Sequence, residues 1–181
     1  SHIRSSLMLI APILLRGEKV VLDFNVTGCA LGVREIDPHI EHLVDHGVPL
    51  DRANNVVTLL PPANFTAASC WPDYASVTGT STFLLCSVMA QGISRMSNHA
   101  TEPHVRAVVT MLQGMGGKVD YDETGALRIE GVSALQGGTF EVPDDHHEIA
   151  TFAAIAAASG GTMSVNSPIL AEMPLIMNQL G

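Results

Sequence analysis

The chain has 181 residues, of which 46% are hydrophobic and 15% charged, a balance that excludes a disordered chain and predicts a globule with a real apolar core. Its net charge of −9, with only nine Lys and Arg residues, argues against general nucleic-acid binding, which needs a dense basic face. The longest apolar stretches are far shorter than the roughly 20 residues that span a bilayer, so we expect no transmembrane segment.

The first part of the chain predicts alternating helices and strands. Helices are indicated by apolar residues at helical spacing that stop at a glycine, and strands by short β-branched runs. In chain order the predicted elements are a helix at Ser5–Arg16, a strand at Val20–Leu22, a helix at His39–Asp45, and strands at Val56–Leu60 and near Phe65–Cys70.

The same order of elements returns further along the chain. Asp37-Pro38-His39 and Glu102-Pro103-His104 each open an apolar helix, about 65 residues apart. The second copy predicts helices at Thr80–Ala90 and His104–Gln113 and strands at Ile93–Met96, Leu127–Glu130 and Thr139–Val142, and a third copy begins with a helix at Ile149–Ala158, a strand at Thr162–Val165 and a helix at Leu170–Leu180. The repeated unit is therefore βαβαββ. Its helices are apolar almost all round, which is typical of helices buried inside a layer of sheets.

Three cysteines, Cys29, Cys70 and Cys86, form an odd set without CxxC spacing. This pattern predicts neither a disulfide framework nor a zinc cluster, and free thiols in a cytoplasmic protein are the simplest interpretation. Cys29 lies on a loop between glycines, five residues before Arg34, where a nearby cation favours the thiolate. An isolated cysteine is also common as a small core residue, so a catalytic and a structural role both stay open.

Two further features suit an anionic substrate. Arg4 and Arg34 can hold carboxylate or phosphate groups with their guanidinium forks, although a solvated Arg is the common case. Ser76-Val77-Thr78 opens a helix, whose first N–H groups and positive end can receive a phosphate, although ordinary N-capping by Ser76 explains the same residues.

Histidines also cluster in the sequence. His39, His42 and His46 fall on one face of a predicted helix, and a second group occupies Asp144–Glu148. No recognised ligand motif accompanies either group, and histidines on helices usually face solvent, so we expect no native metal site.

Several motifs occur in a known order. Ile3–Ser6, Thr27–Arg34, Ser76-Val77, Asn98–Pro103 and Val142–Asp144 resemble motifs of the UDP-N-acetylglucosamine enolpyruvyl transferases, which move enolpyruvate from phosphoenolpyruvate to a UDP-sugar in the first committed step of peptidoglycan precursor synthesis. The resemblance implies an α/β (α+β) fold, an inside-out α/β barrel of βαβαββ repeats that is incomplete in this chain. It implies neither a metal nor an organic cofactor.

In that family two globes close over the substrates. The resemblance implies that residues 1–142 belong to one globe and residues 143–181 begin the second. The family's opening Lys-Asn motif and its later Asp and Arg residues have no counterpart in this chain, so we expect the chain to need the remainder of a parent protein for activity. The apolar helices of a cut repeat are also expected to favour self-association.

The resemblance also implies roles for individual residues. Cys29 matches the loop cysteine that serves as the general-acid candidate and is alkylated by fosfomycin, and Arg34 and Arg4 match arginines that bind phosphoenolpyruvate. Glu35-Ile36-Asp37-Pro38 would lie along the uridine, and Ser76-Val77-Thr78 would approach the diphosphate.

The chain departs from the family pattern at three motifs. The family usually has Arg-Pro-Val-Asp in place of Arg34-Glu35-Ile36-Asp37, Lys-Val-Ser-Val-Gly in place of Tyr74-Ala75-Ser76-Val77-Thr78, and Arg-Glu-Pro-Glu in place of Thr101-Glu102-Pro103-His104. A cation on the nucleotide side is thus missing, although Glu102 is kept as a candidate for substrate binding. The acceptor therefore stays open between UDP-N-acetylglucosamine and another uridine nucleotide, as in nucleoside-antibiotic synthesis, and a non-catalytic nucleotide-binding or interaction paralogue is a further alternative.

Overall fold

The computed structural model describes residues 4–23 and 36–180. The chain divides into two compact units, the first ending at Thr139 and the second beginning at Phe140. The assignment of residues 1–142 and 143–181 to two globes of a larger enzyme stays a prediction.

The first repeat occupies the start of the first unit. Its elements are a 3-10 segment at Arg4–Leu9, helix α1 (Ile10–Leu15), strand β1 (Val20–Asp23), helix α2 (Asp37–Asp45), and strands β2 (Leu50–Ala53) and β3 (Val56–Leu59). The three strands form an antiparallel sheet in the order β1-β3-β2. The predicted single helix at Ser5–Arg16 is thus a 3-10 segment followed by an α-helix, which places Pro12 in the first turn of α1, where its missing N–H costs least.

The second repeat contains the whole predicted unit. It runs from β4 (Ser69–Cys70) through α3 (Val77–Ser87), β5 (Ile93–Met96), α4 (Pro103–Gly114) and β6 (Lys118–Tyr121) to β7 (Leu127–Glu130). The sheet order is β4-β5-β7-β6, with β4 and β5 parallel and the other neighbours antiparallel. This order of elements confirms the βαβαββ unit.

Three predicted strands are wrong or too long. Thr139–Val142 is not a strand, because β7 pairs with β6 across a tight hairpin whose Asp122 accepts hydrogen bonds from the Thr124 and Ala126 N–H groups, and so local a pairing costs little loop entropy. Thr162–Val165 is not a strand either, and Phe65–Cys70 shortens to Ser69–Cys70.

Two more strands, β2 and β6, follow the second helix of each repeat. The glycine that ends each of these helices is followed by Val48 or by Lys118-Val119, which predicts that a strand begins there; this is confirmed for β6, whereas β2 begins two residues later, at Leu50. All four residues of β2 are exposed, so the alternation of buried and exposed side chains that marks a strand is absent. Its turn is set instead by Asn54, which has a φ of 53°, a left-handed conformation that Asn tolerates better than most residues.

Helix α3 is shared by both repeats. All its residues from Gly79 to Leu84 are buried, and its side chains enter two apolar clusters, with Cys86 in the first and Phe83 in the second. This confirms the prediction that the helix at Thr80–Ala90 is buried all round. Helix α4, in contrast, buries a single stripe formed by Val105, Val109 and Leu112.

The second unit contains helix α5 (His146–Ser159), a 3-10 segment at Pro168–Glu172, and helix α6 (Pro174–Leu180). The cluster at Asp144–Glu148 starts α5: the Asp145 carboxylate accepts the His147 N–H, and Asp144 accepts the Ser167 hydroxyl. Phe152 and Ile155 are 56% and 57% exposed. The expectation that this apolar helix is buried is therefore wrong for the described chain.

The burial of Phe83 between two repeats makes it the sharpest test of the core. Phe83→Ala should lower the free energy of unfolding of the first unit by about 3–5 kcal/mol, because it removes a fully buried ring and leaves a cavity. Urea unfolding followed by circular dichroism measures the change. Tyr121→Ala is the control, since Tyr121 is half-exposed and its loss should cost much less. Equal losses in the two variants would contradict the central place of α3.

Candidate functional site

The starts of helices α2 and α3 lie side by side, and they carry two of the predicted substrate-binding segments. Helix α2 begins at Asp37 with Pro38 in its first turn, and α3 begins after Ser76. The His39 imidazole joins them: its Nε2 lies 3.2 Å from the Thr78 hydroxyl and its Nδ1 lies 2.8 Å from the Thr82 hydroxyl. The structure therefore brings Asp37-Pro38 and Ser76-Val77-Thr78 together.

The direction of these hydrogen bonds follows from the hydroxyl groups. The Thr82 hydroxyl donates to the Thr78 carbonyl at 3.0 Å, so it accepts from the Nδ1–H of His39. The Nε2 of a neutral His39 then accepts from the Thr78 hydroxyl. A neutral His39 therefore carries its proton on Nδ1 in this arrangement.

His46, about two helical turns after His39, makes a similar pair of contacts. The Nδ1 of His46 lies 2.6 Å from the His42 carbonyl oxygen, and its Nε2 lies 2.7 Å from the Ser87 hydroxyl. Because a carbonyl oxygen only accepts, Nδ1 carries the proton and Nε2 accepts from Ser87. We call this row of contacts between α2 and α3 the histidine seam, formed by His39, His42, His46, Thr78, Thr82 and Ser87.

His42 occupies the middle of the histidine seam. Its ring packs edge-on against Phe83 at 5.6 Å between centroids, and its buried Nδ1 has no hydrogen-bond partner among the described residues. Burial, and then the nearby His46, lowers the pKa of His42 to about 4. Burial also lowers the pKa of His46, against the opposing effects of its bond to the His42 carbonyl and of the Asp45 charge.

The expectation that these histidines face solvent is wrong, because all three are buried. A spacing of three and then four residues places them on one helix face. That face is turned toward α3, whose small hydroxyl side chains leave room for imidazole rings. Thr78 and Thr82, four residues apart on one face of α3, are the signal that would have pointed to a partner for these histidines.

The first turn of α3 has the backbone geometry that can receive an anion. The Ser76 Oγ accepts the Gly79 N–H at 3.1 Å, which confirms the N-cap interpretation. The N–H groups of Val77 and Thr78 precede any helical carbonyl that could accept them, so they remain available to a ligand at the positive helix end. A Cβ at Gly79 would lie 3.1 Å from the Ser76 Cβ, so glycine permits the close approach of the cap.

The segment that leads to Glu102 lies beside the same helix. The Ala100 N–H donates to the Thr80 hydroxyl at 3.0 Å, which holds the residues before α4 against the first turns of α3. Glu102 itself occupies the N-cap position of α4, and its exposed side chain makes no capping bond. The segment two residues before Glu102 is thus held against α3, the helix that begins just before Thr78.

Two predicted binding residues face inward in part. Ile36 precedes α2 and packs against the first apolar cluster, and Val77 packs against the second. Their side chains contribute to packing, so any contact of these residues with a ligand would involve the backbone.

Asp37 has a partner that the sequence interpretation missed. The Arg52 Nη2 donates to the Asp37 Oδ1 at 2.7 Å. Arg52 lies on β2, the strand with no buried face, so no periodic pattern pointed to it. The structure therefore places a guanidinium beside the predicted uridine-binding segment.

The predicted catalytic residues cannot be located in the structure. Cys29, Arg34 and Glu35 lie outside the described residues, and so does the side chain of Arg4. Their roles stay predictions. The two described thiols are poor nucleophiles, because burial, followed by the Asp45 charge, raises the pKa of Cys70 to about 12, and burial raises the pKa of Cys86 well above its ordinary value.

Residues 4–172 match the family described as EPSP synthase (3-phosphoshikimate 1-carboxyvinyltransferase). The chain belongs to this family. The resemblance to enolpyruvyl transferases that its motifs predict is therefore confirmed. None of the helices in the described parts of the chain has the length and apolar character needed to cross a bilayer.

Individual members of the family are similar over most of the chain. The UDP-N-acetylglucosamine 1-carboxyvinyltransferase of Gluconacetobacter diazotrophicus is 32% identical over 163 residues, which cover 90% of this chain and 39% of that relative. The enzyme of the same name from Saccharophagus degradans is 34% identical over 158 residues, 87% of this chain and 37% of that relative. The chain therefore spans less than half the length of these curated relatives.

A solved structure shares the fold. The enolpyruvyl transferase NikO from Streptomyces tendae superposes with a TM-score of 0.68 at 18% identity, and the match covers 84% of this chain and 36% of that one. At this identity the likeness shows the fold alone, which is that of the enolpyruvyl transferases.

The lowered pKa of His42 predicts acid sensitivity of the first unit. In the unfolded chain His42 binds a proton below its ordinary pKa near 6.5, whereas in the folded unit it stays neutral down to about 4. The free energy of unfolding should therefore fall by about 1–3 kcal/mol as pH falls from about 6.5 to 4. Below pH 4 this group should cause no further loss, because His42 is then protonated in both the folded and the unfolded state.

Urea unfolding of wild type and His42→Leu at several pH values isolates this effect, because titrating carboxylates contribute equally to both proteins. The variant should lose part of the acid sensitivity and should cost little at pH 7, since it removes a buried nitrogen that has no partner among the described residues. Identical pH dependence in the two proteins would contradict the assignment.

Proposed function

We propose that the chain is part of an enolpyruvyl transferase that moves enolpyruvate from phosphoenolpyruvate to a hydroxyl of UDP-N-acetylglucosamine, in cytoplasmic synthesis of peptidoglycan precursors. One observation carries the proposal: the starts of α2 and α3 are joined through His39 and Thr78. The family motifs assign the uridine to Glu35-Ile36-Asp37-Pro38 and the diphosphate to Ser76-Val77-Thr78. A nucleotide diphosphate needs these two segments to be neighbours.

The two helix starts suit such a ligand chemically. The positive end of α3 and the N–H groups of Val77 and Thr78 can stabilise the diphosphate. Asp37 and Arg52 present a hydrogen-bond acceptor and donors at the start of α2, which can bind the polar edge of a base. The names of the relatives, which are UDP-N-acetylglucosamine 1-carboxyvinyltransferases, support this choice of nucleotide.

We propose that enolpyruvate is transferred by an addition followed by an elimination, with roles for Cys29, Arg4 and Arg34. The acceptor hydroxyl adds to the central carbon of phosphoenolpyruvate and gives up its proton to a base, while Cys29 donates a proton to the methylene carbon. Loss of phosphate and of a proton from the methyl group of the tetrahedral adduct then restores the enol ether. Arg4 and Arg34 would hold the phosphate and the carboxylate in this sequence, and no metal or organic cofactor is needed.

The proposal also includes the architecture of the parent enzyme to which this chain would belong. The βαβαββ repeats would form part of an inside-out α/β barrel, with residues 1–142 in one globe and residues 143–181 opening the second. The division of the chain near Thr139 and its coverage of less than half of each relative support this assignment. Full activity would then require the remainder of a parent protein, by which we mean the natural polypeptide that contains this chain.

The acceptor is tested by phosphate release from phosphoenolpyruvate in the parent protein. Release that depends on UDP-N-acetylglucosamine is expected. Release with another uridine nucleotide alone would favour the nucleoside-antibiotic alternative, which the replacement of the family's Lys by Tyr74 also suggests. Nucleotide binding without release would indicate a non-catalytic paralogue.

The role of Cys29 is tested by fosfomycin, an epoxide that alkylates thiolates. With UDP-N-acetylglucosamine present, Cys29 in the parent protein should be labelled faster than Cys70 and Cys86, whose raised pKa values disfavour the thiolate. Tryptic mass mapping locates the label.

Two variants separate acid catalysis from nucleophilic attack. Cys29→Ala should abolish labelling and lower kcat by about 10²–10⁴-fold, the usual contribution of a general acid. Cys29→Asp should resist fosfomycin and keep more turnover, because a carboxylic acid still supplies a proton but is a poorer nucleophile. Labelling at Cys70 or Cys86 without Cys29 would remove the catalytic assignment.

A further inference from the structure

Arg52 connects the sheet of the first repeat to the start of helix α2. Strand β1 ends at Asp23, which pairs with Val56, and Val56 also pairs with Ala53. Arg52 is the neighbour of Ala53 on β2, and its guanidinium reaches the Asp37 carboxylate at the start of α2.

The exposure of the pair argues against a purely structural role. The side chains of Arg52 and Asp37 are 50% and 57% exposed, and ion pairs with this access to solvent add little stability. Holding the Arg52 and Asp37 side chains in one geometry also costs rotamer entropy, most of it from the long Arg side chain. What the contact does achieve is to fix the Asp37 carboxylate, which would otherwise rotate freely at the end of the helix.

The orientation of that carboxylate matters if a uracil base binds there. The pairing edge of uracil has one N–H donor between two carbonyl acceptors. A carboxylate can accept from the N–H, and a guanidinium beside it can donate to a carbonyl, so the pair matches uracil. Cytosine has an acceptor in place of that N–H, and the carboxylate would repel it. A fixed acceptor thus discriminates between the two bases because the wrong base leaves a polar group unpaired.

We propose that Arg52 is a positioning residue for the nucleotide half of the site, where it holds the Asp37 carboxylate in place to accept the N–H of a uracil base. This inference rests on the proposed function. Arg52 acts through Asp37, and its guanidinium also places positive charge on the nucleotide side, where the chain lacks the Lys of the family pattern.

The test is steady-state kinetics of the parent protein with UDP-N-acetylglucosamine and phosphoenolpyruvate varied separately. Arg52→Met should raise KM for the nucleotide about fivefold to tenfold, the effect of one lost charge-assisted hydrogen bond. KM for phosphoenolpyruvate and kcat should change by less than about twofold, because the lost contact is a uniform binding interaction. Arg52→Lys should restore part of the affinity, since it keeps the charge without the fork.

Two further variants establish that Arg52 acts through Asp37. Asp37→Asn should raise the nucleotide KM as much as Arg52→Met or more, and the double variant should be no worse than Asp37→Asn alone. Lys118→Met is the matched control, because Lys118 forms an exposed ion pair with Glu130 on β6 and β7, the strands of the second repeat that correspond to β2 and β3. Its kinetics should equal those of wild type.

Competition by free nucleotides reports on the base. UDP should inhibit wild type more strongly than CDP. In Arg52→Met the inhibition constants of the two nucleotides should become more nearly equal. An unchanged nucleotide KM and ratio in Arg52→Met would overturn the inference and leave the proposed function intact. Equal losses for both substrates, with a lower Tm, would also overturn it by showing a structural role. A wild-type parent protein without transfer activity would remove the proposed function, and the inference with it.

Discussion

The burial of helix α3 on every side is the constraint on which the rest of the first unit depends. A helix shared by two apolar clusters has no face left for long polar side chains. A buried polar group that lacks a hydrogen-bond partner lowers the free energy of unfolding. The polar residues of α3 are therefore small hydroxyls. These hydroxyls bond either to the preceding turn of α3 or to the histidines of α2. The histidine seam follows from the need to satisfy polar groups inside a buried helix contact.

The repeat and its helices could be predicted from the sequence because their signals are local. Glycine at each helix end, Pro103 and Pro38 in first turns, and the apolar periodicity all act within a few residues. The glycine that precedes β2 and β6 marks where these strands start, but their extent has no local signal, since β2 is wholly exposed and β6 buries only Val119. They form because a neighbouring strand is one tight turn away, which is a property of the pairing partner.

In the candidate site, too, features carried by one stretch of chain could be predicted, whereas contacts between distant residues could not. Asp37 and Ser76 could be identified from motifs that a single stretch of chain carries. Arg52 and the histidine seam could not, because each joins residues that are 15 to 43 positions apart in sequence. A histidine at helical spacing is equally compatible with solvent and with a partner helix. The choice between them is made by the hydroxyls of another helix, so sequence periodicity on α2 alone gave the wrong expectation.

Two departures from the family pattern gain a physical explanation from these contacts. Thr78 stands where the family usually has glycine, and its hydroxyl lies 3.2 Å from the His39 Nε2, a hydrogen bond that glycine cannot make. Tyr74 stands where the family usually has lysine, and Arg52 places a guanidinium beside Asp37 at the start of α2. The first departure ties the start of α3 to the buried histidine seam. Protonation of His46 would remove the acceptor of the Ser87 hydroxyl and place a positive charge one turn from His42. Acid would therefore be expected to weaken the contact between α2 and α3, because the buried imidazoles of His42 and His46, whose pKa values are lowered by burial, lie between the two helices.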